Sequence, residues 1–386
     1  MSNYYEENRL NGVILKIILV VLGFSLMLNG QTGQPWPWQT NDEDVSILLF
    51  GDTNVQYRDN PVSAFKYVLP TFQEADFKMC NMEGALAGKS KDPKLPDIPH
   101  KENWTHSEPD MVEAFVEANI DAVSLANNVH YPWKALMKSI EVLDENNIKH
   151  AGGGENLDSA HESVILQKRG TKIGFLAYAC TVFPFQHAAT ENIPGIASMR
   201  IHTYYEPPHK YDKPGTPPEI ITIPYENELE RMQQDINRLK KEVDIVIVSY
   251  HWGRTQHTEL IDYQPQVAHA AIDAGADVIM GHGNHLLGAI EVWKSKPIFY
   301  SLGNMAFDWA ASDGRPKGIL ARISAKDGKL ERVACVPIYR HKDDNLARIK
   351  DPNQGIGEEM YKTIKKRSNG LSSMKIEGKE IFIDLK

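Results

Sequence analysis

Cysteine is scarce in this sequence, and so is positive charge. The chain of 386 residues contains three cysteines and carries a formal net charge of −9 at pH 7. Cys80, Cys180 and Cys335 lie far apart and match no CxxC metal spacing, so they supply no disulfide framework and we interpret them as buried small apolar residues. Because no basic excess is available to neutralise phosphates, we expect no nucleic-acid partner. An anionic substrate would then need a local cation.

Internal repeats and low-complexity tracts are also absent from the sequence. A chain of 386 residues that is 42% apolar can bury a full core. We predict one main domain over 45–340, with a Pro-rich surface insertion at 184–224. A linker at 31–44 precedes this domain, and a C-terminal tail at 341–386 follows it, which we expect to be peripheral after Asp351.

No apolar run in the sequence reaches the roughly 20 residues that cross a bilayer comfortably. Val13–Leu28 comes nearest, as an almost wholly apolar segment interrupted by one lysine, and no A-x-A cleavage site follows it. This pattern indicates either a signal peptide or an N-terminal membrane anchor over 1–30. We therefore expect an exported protein at the cell surface, membrane-anchored or secreted. The alternative is a cytoplasmic nucleotide hydrolase in which this segment is a buried core helix.

Apolar strand-like runs alternate with helical patterns from Val45 onward, and this order predicts a layered α/β fold. Several of the predicted strands stop at a polar group. These groups are Asp52, Glu83, Asn127, His251, and the pair His282 and His285. Because ligands of open α/β sheets bind outside the carboxyl ends of the strands, we expect these side chains to converge in one crevice.

Carboxylate, amide oxygen and imidazole together form a ligand set that suits one or two divalent ions, whether Mn²⁺, Fe²⁺, Zn²⁺ or Mg²⁺. Two such ions would polarise a phosphoryl group and lower the pKa of a water between them, which favours hydrolysis. Taken singly, Asp52 is explained by an ordinary turn and His251 by a hydrogen-bonded imidazole. His282 and His285, three residues apart in a Gly-flanked loop after a buried strand, are harder to explain without a metal.

Seven short motifs in the sequence carry a resemblance to a known family. They are FGDTN (Phe50–Asn54), CNMEG (Cys80–Gly84), SLANN (Ser124–Asn128), GGGENL (Gly152–Leu157), SYHWG (Ser249–Gly253), HAAIDAGADVIMGHGNH (His269–His285) and KPIFYSLGNMAFD (Lys296–Asp308). The chain resembles the poly-gamma-glutamate capsule biosynthesis (CapA-type) family, a branch of the calcineurin-like metallophosphoesterases, from Ser46 to Tyr339. The resemblance implies a β-sandwich flanked by helices.

The resemblance also implies a ligand set for the metal. It places Asp52 and Asn54 in the first D-x-H motif, Glu83 as the bridging carboxylate, Asn127 or Asn128 as the amide ligand, and His251, His282 and His285 as the late histidine ligands. Asn54 replaces the usual histidine and Glu83 the usual aspartate, so both one ion and two ions stay open.

Further residues are candidates for catalysis and substrate binding. The family usually has Asn-Asn-His where this chain has Asn-Asn-Val, and His130, one residue later, is the candidate catalytic histidine. Asn128, Arg58 and Arg254 are candidate substrate contacts, since an arginine can hold an anionic group bidentately. A polar loop containing His100, Lys101 and His106 is a candidate cover for the cleft.

Two functions remain open on the sequence alone. The first is a metal-dependent hydrolase acting on an ester or related bond of an anionic envelope polymer or its precursor. The second is a non-catalytic binding or assembly component of a polymer synthesis or export machine, with membrane-bound synthase partners.

Overall fold

The computed structural model describes residues 44–91, 96–99, 101, 103–207, 215–308 and 314–386. The predicted export segment at 1–30 and all but one residue of the predicted linker lie outside these ranges. Within them, no helix combines the length and the apolar character needed to cross a membrane. Whether the chain is exported therefore stays a prediction.

Strands provide the framework of the described ranges. They are β1 (Val45–Asn54), β2 (Phe77–Met82), β3 (Ala122–Ser124), β4 (Lys149–Ala151), β5 (Gly153–Gly154), β6 (Val164–Lys168), β7 (Thr171–Ala179), β8 (Gly195–Ile196), β9 (Ile201–Glu206), β10 (Glu219–Pro224), β11 (Ile245–His251), β12 (Val278–His282), β13 (Ile290–Trp293), β14 (Lys296–Phe299), β15 (Asn304–Phe307), β16 (Lys317–Lys326), β17 (Lys329–Arg340), β18 (Ala347–Ile349), β19 (Ser373–Glu377) and β20 (Glu380–Asp384).

Helices connect and cover these strands. They are α1 (Leu69–Gln73), α2 (Val112–Glu117), α3 (Trp133–Glu145), α4 (Leu157–Ala160), α5 (Glu226–Lys240), α6 (Tyr263–Asp273) and α7 (Gly355–Arg367), with 3-10 turns at Pro61–Phe65 and Pro109–Met111.

Two sheets hold most of the strands. The larger has the order β19-β20-β17-β16-β1-β2-β3-β4, with β15 added beside β1 and β18 beside β17. The smaller has the order β13-β14-β12-β11-β7-β6. In the larger sheet β1, β2 and β3 run parallel, and in the smaller sheet β7, β11 and β12 run parallel. Parallel strands bring their carboxyl ends to one edge, and that edge is where the polar residues of the sequence fall.

The smaller sheet has two buried faces, as alternation along its strands requires. Phe175 and Ile247 belong to the core that contains the residues of the larger sheet. Leu176 and Val248, their neighbours in sequence, pack on the other face in a second core with Met232 of α5. The two sheets therefore form a sandwich with helices outside it, which confirms the layered α/β fold that the sequence predicts.

The C-terminal tail corrects the sequence prediction. The sequence predicts a peripheral tail after Asp351, but β20 pairs with β17 and extends the larger sheet. Met360 and Ile364 of α7, together with Ile381 and Ile383 of β20, are buried in the main core. Because these apolar side chains are buried, each contributes about 1.5–3 kcal/mol to the free energy of unfolding, as other core residues do.

The predicted insertion at 184–224 contains regular structure that the sequence did not indicate. β9 and β10 pair as an antiparallel hairpin outside both main sheets. Tyr205 and Ile220 face each other across this hairpin and are largely exposed. Thr222 is buried and its Oγ1 accepts a hydrogen bond from the Tyr263 N–H at 3.2 Å, but the other residues of both strands are half-buried or exposed, so no hydrophobic alternation indicates the hairpin.

Candidate metal centre

Strand register brings the polar residues together. His251 and His282 are the last residues of β11 and β12 and are direct neighbours across that parallel pair. On the other sheet, Asp52 in β1 lies opposite Asn81 of β2 on one side and Asn304 of β15 on the other. All five side chains are buried. The centre is therefore built where the two sheets face each other.

Asp52 is at the middle of this centre. Its Oδ1 accepts a hydrogen bond from Asn81 Nδ2 at 2.9 Å and its Oδ2 one from the Gly283 backbone N–H at 3.1 Å. His285 Nδ1 lies 3.0 Å from Oδ2, and His282 Nδ1 lies 3.5 Å from Oδ1. Burial by itself raises the pKa of Asp52, but the three imidazoles of His285, His282 and His251 outweigh it and bring the pKa far below its ordinary value.

Two groups of side chains in the centre have the chemistry and spacing to hold a cation. The first is Asp52 with His251 and His282, and the second is Asp52 with Glu83 and His285, each with one ligand atom per residue and all atoms within 4.8 Å of one another. Asp52 is the carboxylate common to both groups. The resemblance implies that Glu83 is the bridging carboxylate, but in the structure Glu83 belongs only to the group with Asp52 and His285.

Glu83 is almost fully buried and lies 3.5 Å from His285 Nε2 through its Oε1. Burial first, and the charge of Asp52 second, raise the pKa of Glu83 well above its usual value. Lys101 and Arg315 act in the opposite direction, because both place positive charge near this carboxyl group. A divalent cation between the two carboxyl groups would offset the repulsion between them and favour the ionised form of Glu83.

His251 and His282 present nitrogens rather than charges to the centre. Burial lowers the pKa of His282 to about 4 and brings that of His251 well below its ordinary value, so both are neutral at pH 7. Their Nδ1 atoms lie 3.2 Å apart, and Ser249 Oγ lies 2.7 Å from His282 Nε2. With Ser249 accepting from the Nε2–H group, the Nδ1 lone pair of His282 faces the centre, as metal ligation requires.

Asn54 contributes an oxygen with no partner. Its Nδ2 donates to the Glu83 carbonyl oxygen at 2.7 Å, which fixes the orientation of the amide. Its Oδ1 is buried and accepts no hydrogen bond from any residue that the structure describes. A buried oxygen without a donor is costly, and a cation would satisfy it.

Asn127 is placed differently from a simple ligand. Its Nδ2 donates to Asn81 Oδ1 at 2.9 Å and to the Met82 carbonyl oxygen at 2.8 Å. Its Oδ1 accepts from the Val129 N–H at 3.2 Å and lies 3.0 Å from His130 Nδ1. The amide oxygen is therefore engaged by donors, and Asn127 reaches the centre through Asn81 and Asp52.

His130 ends this line of hydrogen bonds. Because Asn127 Oδ1 can only accept, His130 Nδ1 carries the proton and its Nε2 is an acceptor. That Nε2 atom is buried and has no hydrogen-bond partner among the described residues. Burial, followed by the nearby imidazoles of His106 and His187, lowers the pKa of His130 to about 3. The ring is therefore neutral at pH 7, and in this form it does not act as a general acid.

The three candidate substrate residues differ in what they contact. Arg58 is engaged with Asp308 through hydrogen bonds of 2.7 and 2.6 Å, and Arg254 is exposed and bonded to His257. Asn128 is half-buried, and its Oδ1 has no partner in the described part of the chain. His100 lies outside the described residues, as one part of the predicted cover.

Reasoning from the sequence missed several residues of the centre. Asn81, Ser249 and Asn304 belong to three of the seven motifs, but the motifs alone indicate no role for them. Each is a polar residue in a fully buried stretch, and that is the signal that would have found them, because buried polar groups need partners.

The profile of one protein family matches residues 36–309, and its description is Bacterial capsule synthesis protein PGA_cap. The chain belongs to this family. Among relatives in the capsule synthesis family, the PGA biosynthesis protein CapA of Bacillus subtilis (strain 168) is 29% identical over 334 residues, which cover 84% of this chain and 79% of that protein. The Capsule biosynthesis protein CapA of Bacillus anthracis is 28% identical over 312 residues, covering 78% and 69%.

A solved structure is also similar to this member of the capsule synthesis family. It is a novel phosphatase from Mycoplasma pneumoniae, with a TM-score of 0.44 and 12% identity over 77% of this chain and 94% of that one.

Proposed function

We propose that this capsule synthesis protein holds one or two divalent metal ions at the Asp52 centre and hydrolyses an ester or related bond in an anionic envelope polymer. The observation that carries the proposal is the pair of ligand groups that share Asp52. They draw on both sheets, so the fold itself brings them together.

The chemistry of the donors supports a metal at this centre. His251 and His282 are neutral, Asp52 is ionised, and Asn54 Oδ1 accepts no hydrogen bond from the residues that the structure describes. Mixed nitrogen and oxygen ligands of this kind suit Mn²⁺, Fe²⁺, Zn²⁺ or Mg²⁺. When bound, the ion supplies a Lewis acid that polarises a substrate oxygen and lowers the pKa of water.

The protein's own residues would position the reacting groups. The Gly283 N–H and Asn81 Nδ2 each donate to one oxygen of Asp52 and so fix the plane of its carboxylate. Ser249 orients His282, and Asn304 Oδ1, 3.0 Å from His285 Nδ1, orients His285. Such outer partners commonly change metal affinity or activity about 10–100-fold when they are removed.

Two parts of the proposal come from outside the metal centre. The polymer is suggested by the family description and by the printed names of the Bacillus relatives. Location at the cell surface is suggested by the apolar run Val13–Leu28. Protease treatment of intact cells that express the full chain tests the location, because an internal protein would stay protected.

Metal content and hydrolysis test the proposal together. We would compare the wild-type protein with His282→Ala, His285→Ala and the double variant, and use His257→Ala, an exposed histidine, as the control. Each single variant should lose the metal of its own group, and the double variant should lose all metal and all phosphodiester hydrolysis under added Mn²⁺. A wild-type protein that binds no metal and is inactive would contradict the proposal.

A second function is favoured by one observation. The amide oxygen of Asn127 is occupied by Val129 and faces His130, so it makes no ligand atom available in this arrangement. A centre with fewer ligands suits a non-catalytic binding or assembly component that keeps a metal for stability. Metal binding without hydrolysis of any phosphoester, ester or amide substrate would favour this second function.

A further inference from the structure

The loop after β12 carries His285 in a conformation that needs support. His285 has a φ of 62°, in the left-handed region that residues other than glycine rarely adopt. Such a conformation persists only where the surrounding structure holds the backbone in place. On one side of His285, the Gly283 N–H donates to Asp52 at 3.1 Å, and on the other, Ser301 Oγ donates to the Leu286 carbonyl oxygen at 2.7 Å. Whatever holds the rest of this loop therefore affects the orientation of a proposed ligand.

Arg367, the last residue of α7, makes the next contact along the loop. Its Nη1 donates to the carbonyl oxygen of Leu287, two residues after His285. Leu287 is buried, and a buried carbonyl oxygen needs a donor. The guanidinium is planar and rigid, so its N–H groups fix an acceptor at a defined place. Arg367 thereby limits where Leu287, and with it the backbone of His285, can lie.

The residues that follow Arg367 cover the edge of the smaller sheet. β13 is the last strand of that sheet, and its Ile290 N–H donates to Ser368 Oγ at 2.9 Å. Ser372 Oγ donates to the Ile290 carbonyl oxygen at 2.7 Å. The Val292 N–H donates to the Leu371 carbonyl oxygen at 3.0 Å. These hydrogen bonds attach the chain after α7 to the strand that directly follows the His285 loop.

The same C-terminal segment is anchored in the larger sheet. β20 pairs with β17, and Met360 of α7 is buried in the main core. Asp52 belongs to β1 of the larger sheet, whereas His285 follows β12 of the smaller sheet. The segment therefore connects the two sheets that supply ligands to the centre. It lies beyond residues 36–309, which the family profile matches.

The two sets of candidate ligands are the His285 group (Asp52, Glu83 and His285) and the His282 group (Asp52, His251 and His282). We propose that Arg367 is a positioning residue for His285 and so sets the affinity of the His285 group for its ion. The proposal rests on the function proposed above, since it concerns the same centre. Because Arg367 acts through the backbone of Leu287, the His282 group should not depend on it.

Metal titration in two backgrounds tests this selectivity. In His282→Ala the His285 group should hold the remaining ion, and in His285→Ala the His282 group should hold it. Arg367→Ala should weaken Mn²⁺ binding about tenfold in the first background, at the lower end of the effect of removing a partner behind a metal ligand, and leave it unchanged in the second. Arg367→Lys keeps an N–H donor and should recover part of the loss.

Lys366→Ala is the matched control. Lys366 is the exposed neighbour of Arg367, so its removal takes the same charge from the last turn of the same helix. It should leave Mn²⁺ binding unchanged in both backgrounds, and circular dichroism establishes that each variant is folded. Equal weakening by Arg367→Ala in both backgrounds, or equal weakening by Lys366→Ala, would show a general effect of packing or charge and would overturn the proposal.

The imidazole of His285 provides a readout without metal. In metal-free protein labelled with ¹⁵N, Arg367→Ala should shift the ring signals of His285, assigned with His285→Gln, while Lys366→Ala leaves them in place. Unchanged His285 signals in a folded Arg367→Ala protein would overturn the positioning role. A wild-type protein that binds no metal would contradict the proposed function, and these spectra would still decide whether Arg367 positions His285.

Discussion

At the scale of single residues, metal binding should depend more on the charge of Asp52 than on that of Glu83, because both ligand groups use Asp52. Asp52→Asn should therefore remove all bound metal, whereas Glu83→Gln should leave the group of Asp52, His251 and His282 able to bind one ion. Elemental analysis of the purified variants gives the number of ions per chain. Asp344→Asn, which changes a surface carboxylate paired with Arg348, is the control. Full metal loss in Glu83→Gln would make Glu83 the shared ligand instead.

His130 should make the protein sensitive to acid. Its pKa is lowered to about 3 in the folded chain, while an unfolded histidine has a pKa of about 6.5. Between these values the unfolded state binds more protons, so the free energy of unfolding falls as the pH falls, by up to about 1.4 kcal/mol per pH unit. This contribution is complete above pH 6.5 and is lost as the pH approaches 3.

Urea unfolding at pH 7, 6, 5 and 4 measures this dependence. His130→Gln should unfold more easily at pH 7 but lose less stability toward pH 4 than the wild type, because a neutral amide binds no proton. His257→Gln changes an exposed histidine and should keep the wild-type slope. An unchanged slope in His130→Gln would mean that His130 has the same pKa in the folded and in the unfolded chain.

At the scale of elements, the loop after β12 is shaped by a close approach. Gly283 has a φ of 106°, and a Cβ there would lie 3.0 Å from His251 Nε2 and 3.1 Å from the Trp252 carbonyl oxygen. Gly283→Ala should therefore cost about 2–4 kcal/mol and displace His251, which weakens metal binding as well.

Gly170 provides a matched control for this loop. It has a φ of +81° in the turn between β6 and β7, and a Cβ there would meet nothing within 4 Å. Gly170→Ala should cost only the backbone strain, about 1 kcal/mol, and leave metal affinity unchanged. Thermal unfolding and metal titration of both variants separate strain from contact. Equal effects on metal affinity would show that the space beside His251 is not limiting.

The elements that can be predicted from the sequence are buried strands whose own residues form an apolar run. β1 begins at Val45, where the apolar strand-like runs of the sequence begin, and β11 and β12 end at His251 and His282, two of the polar groups at which the predicted strands stop; all three strands are fully buried. β15 was missed because its pairing with β1 is set by a distant part of the chain and not by local alternation. The orientation of Asn127 was missed for the same reason, since it depends on Asn81 and Met82.

At the scale of the whole molecule, the C-terminal segment is tied to the sandwich by a buried ion pair. Arg322 Nη1 of β16 lies 2.7 Å from Glu380 Oε1 of β20, with side-chain exposures of 1% and 4%. Glu380 also lies 3.3 Å from Arg332 of β17, so one carboxylate joins three strands of the larger sheet. Removing it would leave the Arg322 charge buried without this partner.

Glu380→Ala should therefore lower the free energy of unfolding by about 3–5 kcal/mol, as for other buried pairs that lose one member. Glu358→Ala, which breaks an exposed pair with Lys362 in the same C-terminal segment, should cost about 1 kcal/mol or less. Urea unfolding followed by circular dichroism compares the two. If β20 belongs to the cooperative core, Glu380→Ala shifts a single transition for the whole chain. An early separate transition would instead mean that the segment after Arg340 unfolds on its own. The tail would then be peripheral in its contribution to stability, although it is packed into the larger sheet.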